Sequence, residues 1–249
     1  MSWLKNLFNS TKELNPILLD SLKADMHSHL IPGVDDGAKD MDDSISLIRK
    51  LKFFGFSHFI TTPHIMSDIY PNTKEGLTRS ADELKEELAR KNIDVTLELG
   101  AEYFLDQHFL DLIKKRELLT FSDNYLLFEM SFVDESPLLQ ECIFELQSAG
   151  IKPILAHPER YTYLHGKFEK YEELAEQGVH LQLNINSVTG HYSPQTAKVS
   201  EKLIENNLIS YLGTDCHHQG HLELLNKAVR HPLIHKLIEK NLLLNKNLG

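Results

Sequence analysis

The chain has 249 residues, 36 acidic against 26 basic side chains for a formal net charge of -10, and 41% hydrophobic and 25% charged residues. That length makes one large α/β domain or two small ones, and the acidic balance argues against nucleic acid, whose phosphate backbone needs a basic surface. The two cysteines, Cys142 and Cys216, with no signal peptide ahead of them, point to a reducing cytoplasmic compartment, and no apolar run approaches the ~20 residues that span a bilayer.

The N-terminal run MSWLKNLFNS is mildly amphipathic, with Trp3, Leu4, Leu7 and Phe8 able to share one helical face. It reads as a helix packed on the body or on another subunit, in an extension covering residues 1–23; a membrane or partner contact is the other reading. From residue 24 to 249 the chain reads as a single domain. Strand-like runs lie near 24–27, 58–62, 94–100, 125–130, 152–156, 180–185 and 209–213. Helix-period segments at 41–54, 74–91, 106–116, 137–149, 167–177 and 194–206 separate them. Gly55, Gly150 and Gly178 stand where a helix should stop and turn back into a strand. Such alternation implies a parallel sheet, closed as a TIM-like barrel or open and doubly wound, and periodicity does not choose between them.

The polar residues favour the barrel, where active side chains project from the C-terminal ends of strands. His27 and His29 follow the first strand, with Asp36 in the loop beyond; His64 follows the second and Glu102 the third. Glu129 ends the fourth, His157 ends the fifth, and Asp215 and His217 follow the seventh. In extended chain, residues i and i+2 share a face, so His27 and His29 can reach one ion together, as can Asp215 and His217. The set is imidazole and carboxylate without thiolate, which suits Mn, Fe or Zn and not a structural Cys-rich zinc site. The other histidines, His58, His108, His165, His180, His191, His231 and His235, read as surface or satisfied core residues.

A cysteine-phosphatase mechanism needs an Arg six positions beyond the Cys; those positions hold Ser148 and Leu222, so it finds no support. No GxxxxGK phosphate loop is present. Arg160, one of six arginines, lies three residues after His157, where a guanidinium could clamp a phosphoryl oxygen; a surface pair with Glu159 is the bland reading.

The motifs DMHSHLIPGVDDGA (25–38), TTPH (61–64), GAEYF (100–104), LAHPER (155–160) and GTDCH (213–217) resemble, in this order, the PHP superfamily of polymerase and histidinol phosphatase domains. Within it the chain is most similar to the bacterial manganese-dependent protein-tyrosine phosphatases of the CpsB/YwqE type, over about residues 24–221. The resemblance implies a distorted seven-stranded (β/α) TIM-like barrel holding three divalent ions, manganese foremost, with iron or zinc possible. It places His27, His29, Glu102 and Asp215 on the first ion, with Glu102 bridging to a second ion held with Glu129 and His157. Asp36, His64 and His217 take the third, and Arg160 is the catalytic arginine. A further arginine that the family often carries after the last DxH motif is absent from CHHQGHLELL, where His218 or His221 could stand in.

The expected reaction is attack on phosphorus by metal-activated hydroxide. Tyrosine leaves as a phenolate, whose conjugate acid has a pKa of ~10, so little is asked of a general acid; His217, His218 or Tyr161 could serve. The implied substrate is a phosphotyrosine protein, the tail of a membrane-associated tyrosine kinase of capsule or exopolysaccharide synthesis. Two rivals remain at this stage: a phosphatase of a small metabolite such as histidinol phosphate, and a metal-bound scaffold without turnover.

Overall fold

A computed structural model describes residues 14–248. The amphipathic run through Trp3, Leu4, Leu7 and Phe8 lies outside the described residues. The rest of the expected extension packs on the body: Leu14 and Ile17 donate backbone bonds to Arg230 and Val229, and Leu19 to Phe54.

Among the described residues, nine strands are interspersed with eight α-helices. The strands are β1 (Ala24–Asp25), β2 (His58–Thr61), β3 (His64–Ile65), β4 (Thr96–Leu99), β5 (Glu102–Phe104), β6 (Tyr125–Glu129), β7 (Lys152–Ala156), β8 (His180–Asn184) and β9 (Ile209–Gly213). The helices are α1 (Met41–Phe53), α2 (Lys74–Arg90), α3 (Gln107–Lys115), α4 (Leu139–Ser148), α5 (Phe168–Glu176), α6 (Pro194–Glu205), α7 (Gln219–Ala228) and α8 (Pro232–Glu239). Side-chain caps start several helices where the sequence offers them: Asp40 accepts from the Asp43 amide, Thr73 from Gly76 and Asp106 from Phe109. Gly55, Gly150 and Gly178, with φ of 111°, 76° and 81°, end α1, α4 and α5 as expected.

All strand pairs are parallel. A three-stranded sheet runs β1-β2-β4 and a six-stranded sheet β3-β5-β6-β7-β8-β9. The seven expected runs become nine strands because the second and third are each followed, past a break, by a short strand beyond the expected run, β3 and β5. The second breaks at Thr62-Pro63, where proline offers no N–H to the ladder. The third breaks at Gly100-Ala101, where a Cβ on Gly100 would sit 2.7 Å from the Phe121 ring. The backbone bonds continue across both gaps, from Gly100 N–H to the Thr61 carbonyl and from Glu102 N–H to the Pro63 carbonyl.

The first and last strands meet through less. Ser28 pairs with Cys216, His29 donates to the Cys216 carbonyl, and Asp215 donates to the His27 carbonyl. Below that contact the fully buried Asn245 fills the seam. Its Nδ2 donates to the Ala24 and Leu212 carbonyls, and its Oδ1 accepts from Leu212 N–H. Between strands and helices lies the main hydrophobic core; a smaller cluster gathers Met26, Ile60, Leu127, Ile154 and Tyr211.

Candidate metal centre

The side chains expected to carry chemistry converge at the C-terminal ends of the strands. Parallel register sets the neighbours: His64 is opposite Glu102 and Phe104 is opposite Glu129. His64 and Glu102 open the short strands β3 and β5, so the interruptions of the two ladders fall immediately before them. His157 and Asp215 follow β7 and β9 with φ of 32° and 49°. Such left-handed backbone is costly for residues with a Cβ and concentrates at functional sites.

Glu102, fully buried, is the centre. Its Oε2 lies 3.2 Å from His27 Nε2, 3.3 Å from His29 Nε2 and 3.3 Å from His64 Nδ1, while its Oε1 lies 3.0 Å from His157 Nε2. Asp215 Oδ1 is 3.4 Å from His27 Nε2 and 3.5 Å from His29 Nε2. Glu129 Oε1 is 3.1 Å from His64 Nδ1, and its Oε2 is 3.8 Å from His157. Asp36 Oδ1 is 3.5 Å from His64 Nε2 and 3.4 Å from His217 Nε2. Three groups form, each with candidate ligand atoms within 4.8 Å of one another: His27, His29, Glu102 and Asp215; His64, Glu102 and Glu129; and His29, Asp36, His64 and His217. These groups follow the expected division with three differences, the last of which leaves His157 outside the second group. His64 faces both the second and third groups through its two nitrogens, and His29 borders the third. His157 touches the second group through Glu102 and Glu129.

The donor set fits divalent cations. Ligands ~2.1 Å from a tetrahedral ion stand ~3.4 Å apart, close to the spacings above. The imidazoles are also oriented for it. His27 Nδ1 is held by Gln182 Oε1 at 2.9 Å, His29 Nδ1 by Asp35 Oδ2 at 2.8 Å, and His217 Nδ1 by the Asp215 carbonyl at 2.9 Å. Each of these partners accepts, so each Nδ1 carries the proton and each Nε2 turns a lone pair toward carboxylates. That arrangement needs positive charge among them. Without a metal the histidines must supply it: burial opposes protonation of His27, yet Glu102 and Asp215 raise its pKa to about 9. Among the described residues, buried His64 Nδ1, Glu102 Oε2, Glu129 Oε1 and His157 Nδ1 have no hydrogen-bond partner, a cost that coordination of the three at the cluster would remove.

Sequence reasoning missed the residues that hold these ligands. Of the pair Asp35-Asp36 it chose Asp36, which is half exposed, whereas buried Asp35 orients His29, accepts from the His64 and Gly37 amides, and has its pKa lowered to about 2 by His29 and those bonds despite burial. Gln182 also accepts from the His157 amide, and Asn184 Nδ2 donates to Asp215 Oδ2 at 2.8 Å and to the Tyr192 hydroxyl at 3.0 Å. Both amides sit two apart in HLQLN on one strand face, the alternation that could have found them.

Arg160 Nη1 donates to Asp215 Oδ2 at 3.0 Å. Its guanidinium lies between the rings of Phe132, at 4.6 Å, and Tyr192, at 4.4 Å. Glu159 is no surface partner for it: the carboxyl is fully buried, accepts from Asn184 N–H and Ser187 Oγ, and burial raises its pKa to about 7. Tyr161 is unsuited to proton delivery, because its buried hydroxyl donates to the Ala156 carbonyl and accepts from Met130 N–H. Cys216 is buried beside Ser28 and packs, as alternation suggested. His218 caps α7, and His221 Nδ1 lies 2.9 Å from the Asp215 carbonyl and 3.2 Å from the His217 amide; both line the cleft. The cleft over the cluster measures about 420 Å³.

The model of the family described as capsular polysaccharide synthesis, CpsB/CapC, matches residues 23–240. The chain is 30% identical over 232 residues to the tyrosine-protein phosphatase YwqE of Bacillus subtilis, covering 90% of this chain and 91% of that protein. It is 28% identical over 194 residues to the putative tyrosine-protein phosphatase CapC of Staphylococcus aureus, covering 78% and 76%. In structure it is similar to a chain from the crystal structures of YwqE from Bacillus subtilis and CpsB from Streptococcus pneumoniae, described as metal-dependent tyrosine phosphatases, with a TM-score of 0.76, 29% identity, and 91% and 96% coverage. A histidinol phosphate phosphatase of Lactococcus lactis, solved with zinc, L-histidinol and phosphate, shares the fold at a TM-score of 0.55 and 13% identity, with 83% and 93% coverage.

Proposed function

The chain belongs to the CpsB/CapC family of capsular polysaccharide synthesis, and on that premise we propose that the cluster around Glu102 is the centre at which it hydrolyses phosphotyrosine. It is a tyrosine-protein phosphatase, a phosphoric monoester hydrolase. One observation carries the site assignment: three overlapping groups of imidazole and carboxylate, all buried but for Asp36, share Glu102, His29 and His64, with the guanidinium of Arg160 beside them.

We assign His27, His29, Glu102 and Asp215 to a first divalent ion, Glu102, Glu129 and His157 to a second, and Asp36, His64 and His217 to a third, with manganese as the metal and iron or zinc as the alternatives. When bound, such ions lower the pKa of water and neutralise phosphoryl charge. The protein's own groups do the rest. Asp35 and Gln182 fix the tautomers of His29 and His27. Arg160, the catalytic arginine, keeps Nη1 on Asp215 and offers its remaining N–H groups to the phosphoryl oxygens, its plane held by Phe132 and Tyr192. His217 has Nδ1 on the Asp215 carbonyl and Nε2 toward Asp36, so it serves as a ligand at the cleft and not as a proton donor. A phenolate leaving group tolerates this, since its conjugate acid has a pKa of ~10.

The two sheets read as one distorted seven-stranded (β/α) TIM-like barrel of the PHP type, β2 continuing into β3 and β4 into β5, in a single domain of residues 24–249 behind an extension of residues 1–23. The substrate is a phosphotyrosine protein at the tail of a membrane-associated tyrosine kinase, reached from the cytoplasm. Among the described residues no helix is long and apolar enough to cross a membrane. The test is competitive turnover by metal-loaded protein of a phosphotyrosine peptide against histidinol phosphate. A higher kcat/KM for the peptide is expected, and the reverse order overturns the substrate assignment. Full metal occupancy without hydrolysis of any aryl phosphate would leave a scaffold instead.

A further inference from the structure

The floor of the cleft is charged, but two stretches of its wall are apolar. Met66, Ile69 and Tyr70 border it from the loop after β3, and Phe132 borders it from the loop after β6. Ile69 is 67% exposed and Phe132 38%, with Val133 beside it at 74%. Apolar side chains held open at the mouth of a charged pocket mark a ligand surface.

The isoleucine is also fixed in place. Met66 and Tyr70 exchange backbone hydrogen bonds in both directions, 2.9 and 3.1 Å, closing a tight turn with Ile69 near its end. Ser67 ties that turn to Asp106 through its hydroxyl at 2.7 Å, and Asn72 Nδ2 donates to the Val34 and His64 carbonyls just beyond it. The Tyr70 ring lies flat on His64, with centroids 5.4 Å apart and planes 10° off parallel. On the other wall Thr162 Oγ1 holds the Phe132 carbonyl at 3.2 Å, and the Phe132 ring covers Arg160 and His157. The Ile69 side chain takes part in none of these anchors and stays two-thirds exposed.

We propose that Ile69, with Tyr70 and Phe132, forms an apolar collar that grips the phenyl ring of a phosphotyrosine and so sets a preference for aryl over alkyl phosphates. The proposal rests on the phosphotyrosine-phosphatase reading and names the residues that select within it. A planar ring with two apolar faces can remove both walls from water at once, whereas a short alkyl chain or a cationic metabolite covers little of either. The collar lies away from the bond that breaks, so it holds ground state and transition state alike. Its loss then raises KM and spares kcat. Phe132 also touches Arg160, so Ile69 is the residue that isolates the effect.

The experiment measures binding of phenylphosphonate and methylphosphonate to the metal-loaded protein by calorimetry, for the wild type, Ile69→Ser and Ile69→Phe, with hydrolysis of a phosphotyrosine peptide run in parallel. The wild type binds the phenyl compound about tenfold more tightly than the methyl one, an effect in the range of hydrophobic pocket contacts. Ile69→Ser loses most of that ratio, leaves methylphosphonate binding unchanged, and raises KM for the peptide with kcat within about twofold; Ile69→Phe keeps the ratio. If the wild type hydrolyses the peptide but Ile69→Ser keeps the full phenyl preference, the collar is wrong and the phosphatase reading stands. If the wild type does not hydrolyse the peptide, that reading and the collar fall together.

Discussion

Replacing Arg160 by lysine keeps a positive charge but removes the plane for which the fold has built a slot. The guanidinium sits 4.6 Å and 4.4 Å from two aromatic rings and binds Asp215 at 3.0 Å. Lysine has neither the plane nor the spare N–H groups to hold Asp215 and a phosphoryl oxygen together. Losing one preorganised donor to developing charge costs about 2.7–4 kcal/mol, a factor of ~10²–10³ in kcat. Arg160→Lys is therefore expected to lower kcat about a hundredfold and Arg160→Ala about a thousandfold, with smaller changes in KM. Asp215 Oδ2 keeps its bond from Asn184, so this proposed metal ligand stays oriented and retention of bound metal is expected. The assay is steady-state hydrolysis of p-nitrophenyl phosphate and of a phosphotyrosine peptide, alongside metal analysis of each variant. Turnover by Arg160→Lys within threefold of wild type, or a loss that tracks metal loss entirely, refutes the clamp.

Asp35→Asn puts a donor against His29 Nδ1 or the neighbouring amides, and metal affinity measured against a competing chelator is expected to fall about 10- to 100-fold; unchanged affinity would remove Asp35 from its orienting role. Gly37→Ala brings a Cβ to 2.5 Å from the Cβ of His29 and against its carbonyl oxygen, so unfolding in urea should show about 1–3 kcal/mol of lost stability. Asn245→Ala strips three side-chain hydrogen bonds to backbone groups from the seam between β1 and β9, and a loss of about 2–3 kcal/mol is expected by the same measurement; a neutral effect would mean that the seam does not depend on it.

The candidate site was legible because its ligands are of a few residue types and fall after strand-like runs: DMHSH, TTPH, LAHPER and GTDCH each announce a strand end and a ligand together. The helices from 41 to 205 were legible from periodicity and from glycines at their ends. What escaped depended on distant packing. Asp35 and Asp36 are equivalent on paper, and only the fold buries one behind His29 and leaves the other at the cleft. Gln182, Asn184 and Asn245 are amides, ligand types for nothing in particular, and their roles arise from partners 25–221 residues away. The aromatic slot for Arg160 draws on loops after two different strands, β6 and β8, with no local pattern to link them. The helices α7 and α8 are capped by His218 and His231 and carry His221 and His235, so histidines interrupt the apolar periodicity that would mark them.

If the imidazoles and carboxylates clustered around Glu102 hold the metal ions on which phosphotyrosine hydrolysis depends, removing those ions abolishes turnover. The direct measurement strips the purified protein with chelator, confirms the metal content, and follows phosphotyrosine-peptide hydrolysis as manganese, iron or zinc is returned. Turnover should vanish on stripping and return with metal in the wild type, while Glu102→Gln neither regains full metal content nor recovers activity. Hydrolysis that persists in the metal-free protein would contradict the account.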